Sequence, residues 1–354
     1  MAEGWKTYSG VVHVHTDKSG GAPFEAILRA AKETKADFVV LSDCGIRLGE
    51  AKSLEGWHDD VLVLVGEEVC CPDGHFLAFG IDEEIGHTTA FSHGLELVRA
   101  QAGSVVGTHY HFEGMTLPAG VPPPLPFESV DLAELWSFHD EFVARAKGRM
   151  AVQFHGRPER LLMGPESNLL RRWDAEQVHR PLPAVGSVTS LWRKEPLLDW
   201  KEFFPCGVSF RTIRTVIRCP ELPQRSAAAC NIAWNALRRG TSYLANISLG
   251  DPAGFDFAFI DAVGNEYRMG DSVLWRRNGR IRVTLPHAAE VIIRLNSFPL
   301  LWGTGKDFDF PAPCPGVYRV EVRSDRRYWI LSNAIRVVKE DGATVRPTTV
   351  IEFT

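Results

Sequence analysis

The chain has 354 residues, more than one compact core usually holds, so a large domain plus a smaller one is the expectation. With 45% hydrophobic and 23% charged residues it is not a disordered chain, and 39 basic against 44 acidic residues, net −5, argue against a general nucleic-acid or anionic-membrane surface. No stretch has the apolar length of a signal core or spanning helix, and seven cysteines without a CxxC pair make no disulfide framework in a chain this long. These features predict a soluble, cytoplasmic protein that handles a small molecule, with no nucleic-acid or membrane partner.

From about residue 8 to 190, short apolar runs alternate with helical stretches. Gly10–Thr16 reads as a strand, followed by a helix with Pro23 in its first turn and Phe24, Ile27, Leu28 and Ala31 at helical spacing. Asp37–Ser42 and Val61–Val65 are apolar runs, 88–102 is a helix stopped by Gly103, and Ser104–Thr108 is a strand. Pro118–Pro126, with five prolines, reads as a long loop. Strands follow at Asp131–Phe138 and Pro183–Gly186 with a helix near 167–178 between them, and 226–239 is a last helix before Gly240. Strands apolar on both faces and separated by helices imply a parallel sheet or barrel. From Thr241 the pattern becomes short strands with turn signals (GDPAG, VGNE, RRNGR, PCPG, EDG), which predicts a β-sandwich holding Trp302 and Trp329 in its core. Arg276–Arg280 reads as a solvated hairpin turn.

Ten of the twelve histidines precede residue 156, where an even spread would give about five. His13 and His15 lie two apart on one strand, so both imidazoles face the same way and can chelate one ion, or sit as a pair of core histidines. Other ligand types follow at the C-terminal ends of later strands: Asp43, Glu67 and Glu68, His75, and His109. In a parallel barrel these ends share one mouth. Two or more nitrogens with a carboxylate suit Zn²⁺, Mn²⁺ or Fe²⁺, and a carboxylate can bridge two ions. Asp43 is a strand-end residue or a partner orienting a ligand histidine. Arg211 and Arg214, in FRTIRT, hold an anionic substrate or lie on a strand surface. His139 and His155 fit mouth and surface equally.

The opening WKTYSGVVHVHTDKSGGAPFEAILRAAKETKADFVVLSDCG resembles that of PHP-domain (polymerase and histidinol phosphatase) proteins, with their HxHT…SDG…TDH signature. GEEVCCPDGHFLAFGID is similar to the G-x-E-[VI]-T-x-x-x-GH segment of the carbaryl-hydrolase-like (CehA/McbA) branch, and SVVGTH to the strand ending in the HP motif. LLRRWDAEQVHRPLPAVGS resembles the run into GSDxH, and the likeness continues through PGVYRVEV and WILSNAIRVV. It implies a distorted (β/α)7 PHP-type barrel over 1–240, a C-terminal β-sandwich domain over 241–354, and up to three metal ions. The first ion would take His13, His15 and Glu68; the second would share Glu68 and use His75 and His109. His111 is a possible substitute, because Tyr110 stands in place of the HP proline.

The sequence departs from that pattern in three further places. Cys44 replaces the TDH histidine, Gly20 the SDG aspartate, and GSDxH reads Gly186-Ser187-Val188-Thr189-Ser190. Cys44 reads as a small buried residue or as a thiolate that could bind a soft metal, and Cys70 and Cys71 read as small buried residues. One or two divalent ions (Zn, Mn or Fe) are therefore expected, with a metal-activated water hydrolysing an ester, amide or phosphoester and Asp43 and His111 as candidate catalytic side chains. The competing expectation is a catalytically degenerate PHP-like protein that binds a small molecule or partner.

Overall fold

A computed structural model of the chain describes residues 5–45, 48–86, 90–112, 123–145, 157–190 and 205–339, and the backbone of 351–352. His87, His155, most of the Pro118–Pro126 segment and the EDG signal lie outside these residues.

The molecule is mixed α/β. Strand β1 (Trp5–Val14) is followed by α1 (Phe24–Glu33), β2 (Phe38–Cys44), α2 (Leu48–Lys52), β3 (Gly56–His58), β4 (Val61–Cys71) and β5 (Gly74–Phe79). Next come α3 (Phe91–Ala100), β6 (Ser104–Gly107), β7 (Leu132–Ser137), α4 (Phe138–Arg145), α5 (Ser167–His179) and β8 (Ala184–Ser187). A short α6 (Cys206–Ser209), β9 (Ile213–Pro220) and α7 (Ser226–Arg239) complete this part. Strands β1, β2 and β4 pair in parallel, as do β6, β7 and β8, whereas β4–β5 and β5–β6 are antiparallel. The regular strand–helix alternation of a (β/α)7 barrel is therefore not what the pairings show. The physical reason is local: β4 continues past Val65 to Cys71, and Pro72-Asp73 then turns the chain directly back into β5.

Beyond the end of β8, Val188 N–H donates to Val12 O (3.1 Å), Ser190 N–H to His13 O (3.1 Å), and His15 N–H to Ser190 O (3.3 Å). The seven strands β1, β2, β4, β5, β6, β7 and β8 share one apolar cluster, to which each sends a buried residue: Val12, Val40, Leu64, Leu77, Val106, Leu132 and Val185. Helix α7 lays Ala233, Trp234 and Leu237 against it. On the other face, Val39, Val63, Val105 and Ala184 pack with Ile27, Val98 and Trp173 of the helices. The strand residues thus alternate between two apolar layers, which is why these runs read as continuously apolar.

The chain after Thr241 holds β10 (Ser242–Asn246), β11 (Asp256–Ile260), β12 (Glu266–Arg268), β13 (Ser272–Leu274), β14 (Arg280–Leu295), β15 (Phe298–Pro311), β16 (Gly316–Ser324), β17 (Arg327–Ser332), β18 (Ile335–Val338) and the two-residue β19 (Ile351–Glu352). Phe257, Ile281, Val291, Tyr318, Trp329 and Ile335 lie in a core of their own. Strand β10 pairs with β9, itself paired with β1, so sheet hydrogen bonding crosses the expected boundary at 240/241. Two expectations are corrected. Trp302 is 54% exposed, because the middle of β15 turns it outward with its indole N–H on Glu290, while Trp329 is fully buried. Arg276–Arg280 is no hairpin: it joins β13 to β14, which pair with β18 and with β11 and β15 instead.

Polar contacts lock α5 and β8 onto these strands. Arg319 on β16 donates from Nη2 to Asp174 Oδ2 at 2.7 Å and from Nε to Oδ1 at 2.5 Å, and from Nη1 to Glu321 at 2.8 Å; all three side chains are buried. Asn333 accepts from Ala184 N–H (2.7 Å) and donates to Ala184 O (3.0 Å), mimicking a strand partner for β8. Among the described residues no helix is long and apolar enough to cross a membrane.

Candidate metal centre

Histidines 13 and 15 reach the same space by a route different from simple strand alternation. The β1–β2 register shifts between Val11 and Val14, and His13 takes a left-handed backbone (φ 64°) that re-aims its side chain. His109 (φ 63°) and Thr189 (φ 44°) share this uncommon conformation, which costs on the order of 1 kcal/mol or more at each non-glycine position. Gly21 passes so close behind His15 that a Cβ there would collide with the His15 carbonyl. The His13 and His15 rings lie 5.2 Å apart between centroids, and His109 stands 6.3 Å from His13 and 6.2 Å from His75.

Glu68 is the hub. Its Oε1 lies 3.6 Å from His13 Nε2 and 3.8 Å from His109 Nε2, and its Oε2 lies 3.5 Å from His15 Nε2. These separations are long for hydrogen bonds. They suit two donors on one ion, since bonds of about 2.1 Å at near-tetrahedral angles set the donors about 3.4 Å apart. Two histidine-containing groups among the described residues have all their ligand atoms within 4.8 Å of one another: His13, His15 and Glu68, and Glu68, His75 and His109. The Nε2 atoms of His13 and His15 are buried with no hydrogen-bond partner, an uncommon condition that a cation would relieve.

The imidazoles of His13, His15 and His109 are held from behind through Nδ1. His13 Nδ1 meets Glu134 Oε2 at 2.5 Å and Thr189 Oγ1 at 3.3 Å, and His109 Nδ1 meets Asp140 Oδ2 at 3.0 Å. His15 Nδ1 meets Ser19 Oγ at 2.9 Å, and Ser19 is hydrogen-bonded to Asp43. A carboxylate or hydroxyl on Nδ1 fixes the ring and leaves Nε2 as the donor, the arrangement usual behind metal-binding histidines. Sequence reading missed Glu134, Asp140, Ser19 and Thr189. The signal available for Glu134 was a lone charge inside the apolar run Leu132–Ser137.

Burial disfavours charge on His13, but Glu134 and Glu68 outweigh it and push its pKa up to about 10. For His15 burial dominates over the attraction of Glu68, and its pKa falls to about 4. Burial also opposes charge on His109 and on Glu68. Asp140 and Glu68 nevertheless raise His109 well above the usual value, and the nearby His109, His13 and His15 hold Glu68 well below the carboxylate range. His13 is therefore protonated in the ion-free protein at neutral pH. Its raised pKa contributes stability that is fully present below about pH 6.5 and is lost as pH rises toward 10. A cation must displace that proton, so affinity is expected to rise by about tenfold per pH unit for each proton displaced. Calorimetric titration with Zn²⁺ in two buffers of different ionisation enthalpy should read at least one proton released per ion at pH 7; no release would contradict the assignment of His13.

The remaining candidates occupy other posts. Asp43 accepts from Thr16 N–H (2.6 Å), Thr16 Oγ1 (2.8 Å) and Ser19 Oγ, fixing the loop behind His15. Glu67, on the opposite face of β4 from Glu68, accepts from Ile85 N–H and Gly86 N–H. His111 is buried with Nε2 unpartnered, but it joins neither group of ligand atoms. Arg214 is fully buried and donates to Phe210 O and to Thr34 at the end of α1, while Arg211 is exposed and bonds Gly207 O. Val188 packs in the apolar core, so no carboxylate reaches His13 and His15 from there. Cys44 and Cys70 are not the small buried residues expected: they are half-buried and joined as a disulfide, because β2 and β4 are adjacent. Cys71 is buried in the core.

The fold and site define a mixed α/β protein with a carboxylate-centred histidine cluster. No family model matches the chain, and no curated protein is similar to it in sequence. Among solved structures it is similar to a two-domain protein containing a predicted PHP-like metal-dependent phosphoesterase from Bacteroides vulgatus. That likeness has 9% identity over 94% of this chain and 96% of that one, with a TM-score of 0.46. It is also similar to PsfC from Pseudomonas syringae, with 15% identity over 64% of this chain and 88% of that one, TM-score 0.36.

Proposed function

We propose that the chain is a metal-dependent hydrolase of the PHP superfamily, in its carbaryl-hydrolase-like branch, with its metal ligands on the mixed sheet of the N-terminal part and a β-sandwich in the part after Thr241. The observation that carries this reading is the pair of buried, unpartnered Nε2 atoms of His13 and His15 facing one carboxylate, each ring braced through Nδ1. His13, His15 and Glu68 would hold one divalent ion, and Glu68, His75 and His109 a second. The nitrogen and oxygen donors suit Zn²⁺, Mn²⁺ or Fe²⁺. Such an ion, when bound, supplies Lewis acidity to an ester, amide or phosphoester of a small molecule. Glu134 and Asp140 keep Nε2 of His13 and His109 turned inward, and Asp43 keeps Ser19 against His15.

With Cys44 and Cys70 joined, no more than two ions per chain are expected. Metal analysis of protein grown in metal-replete medium, paired with turnover of p-nitrophenyl phosphate and p-nitrophenyl acetate, tests the reading. Three tightly held ions in the oxidised protein would contradict the site assignment. Val188 and Ser190, standing where the family pattern has ligands, favour the second reading of a degenerate binding protein. No bound ion, no uptake after dialysis against Zn²⁺ or Mn²⁺, and no turnover would establish that reading instead.

A further inference from the structure

Beside the histidine cluster lies a third set of ligand atoms, Cys44, Cys70 and Glu68, of which the hydrolase reading uses only Glu68. Cys44 ends β2 directly opposite Glu68 in the parallel β2–β4 register, and Cys70 follows Glu68 by two residues on β4. Residues two apart on a strand share a face, so Glu68 and Cys70 point the same way, while Val69 and Cys71 point into the apolar core. The two sulfurs and a Glu68 oxygen all lie within 4.8 Å of one another. Cys44 and Cys70 have Cα atoms 6.7 Å apart and are half-buried, within reach of solutes.

We propose that Cys44, Cys70 and Glu68 form a thiophilic metal site that exists only while the two cysteines are reduced, making the metal load of the cluster redox-controlled. Two thiolates and a carboxylate favour Zn²⁺ or Cd²⁺ over Mn²⁺ and Mg²⁺. Two thiolates sharing one ion at bonds of about 2.3 Å stand about 3.8 Å apart, farther than the bonded sulfurs do here, so reduction must let the two side chains part across Cα atoms 6.7 Å apart. Oxidation removes the site because each sulfur then bonds the other. With hydrogen peroxide as oxidant, the S–S bond forms and the O–O bond breaks. Two electrons pass from the sulfur pair to the peroxide, two protons from solvent complete two waters, and the ion is released. Glu68 is left to the histidines.

Cadmium is the probe, because sulfur-to-cadmium charge transfer absorbs in the ultraviolet and nitrogen or oxygen ligation does not give that band. Full-length protein is stripped with a chelator, reduced, freed of reductant and titrated with Cd²⁺. The expected result is a charge-transfer band saturating near one equivalent. Peroxide should abolish it, as should Cys44→Ser and Cys70→Ser singly, while Cys71→Ser should retain it. His13→Ala should also retain it, which separates this site from the histidine sites: loss of Zn²⁺ binding at His13 with the band intact leaves the proposal standing. A reduced wild type without the band, a band surviving in the Cys44→Ser/Cys70→Ser double variant, or one lost in Cys71→Ser would overturn it. Should a serine variant misfold by circular dichroism, the peroxide titration of the wild type decides alone.

Discussion

Glu68→Gln is expected to abolish tight binding at both histidine sets at once, whereas His13→Ala should weaken only the first. Three imidazole Nε2 atoms lie within 3.8 Å of the Glu68 oxygens, and both histidine groups contain this carboxylate. The amide keeps the shape but removes the negative charge that offsets two ions and raises His13 and His109 toward their protonated forms. Losing a group that merely orients a ligand costs about 10–100-fold in metal affinity, so losing the shared ligand itself should exceed about 100-fold at each set. Calorimetric titration with Zn²⁺ and Mn²⁺ on wild type, Glu68→Gln and His13→Ala reads the difference. If Glu68→Gln bound two ions as tightly as wild type, Glu68 would not be the bridge.

Arg319→Ala is expected to cost about 3–5 kcal/mol of stability, the range found when one member of a buried ion pair is removed. Its guanidinium takes both oxygens of Asp174 and one of Glu321, and sits 5.5 Å over the Trp173 ring. Truncation leaves Asp174 buried, with Ser297 Oγ at 3.2 Å as the one remaining side-chain donor among the described residues, whereas Glu321 keeps both bonds from Arg294 at 3.1 Å. Replacing both partners, Asp174→Leu with Arg319→Met, should cost less than the single change, because no lone charge stays behind. Urea unfolding followed by tryptophan fluorescence measures both. A single variant within about 1 kcal/mol of wild type would show that water reaches Asp174 and that the pair does not tie α5 to β16.

The two predictions draw on different parts of what the chain makes legible. Local regularities were readable. The apolar runs at Phe38–Cys44 and Leu132–Ser137 and the helices Ser167–His179 and Ser226–Arg239 fall within a residue or two of the spacing that predicts them, because burial and periodicity act over neighbouring positions. The meeting of His13, His15, Glu68, His75 and His109 was approachable from sequence because each follows or ends an apolar run. How they meet was not. The left-handed backbone at His13 and His109 depends on which strand lies alongside, and no propensity encodes it. The β4–β5 hairpin in place of a helical crossover turned on whether β4 stopped at Val65 or ran on, which its pairing with β2 through Cys44↔Glu68 decides.

The sequence by itself determined the ligand types, their order along the chain and the change of pattern near Thr241, since all of these are set by residue identity and short-range spacing. Only the tertiary structure decided which polar groups stand behind the histidines and which cysteines meet. Glu134 is 121 residues from His13, Asp140 is 31 from His109, and Cys70 is 26 from Cys44. Such pairs are fixed by strand neighbours and register, and a charged residue's partner in a buried site is whichever group the packing brings within reach.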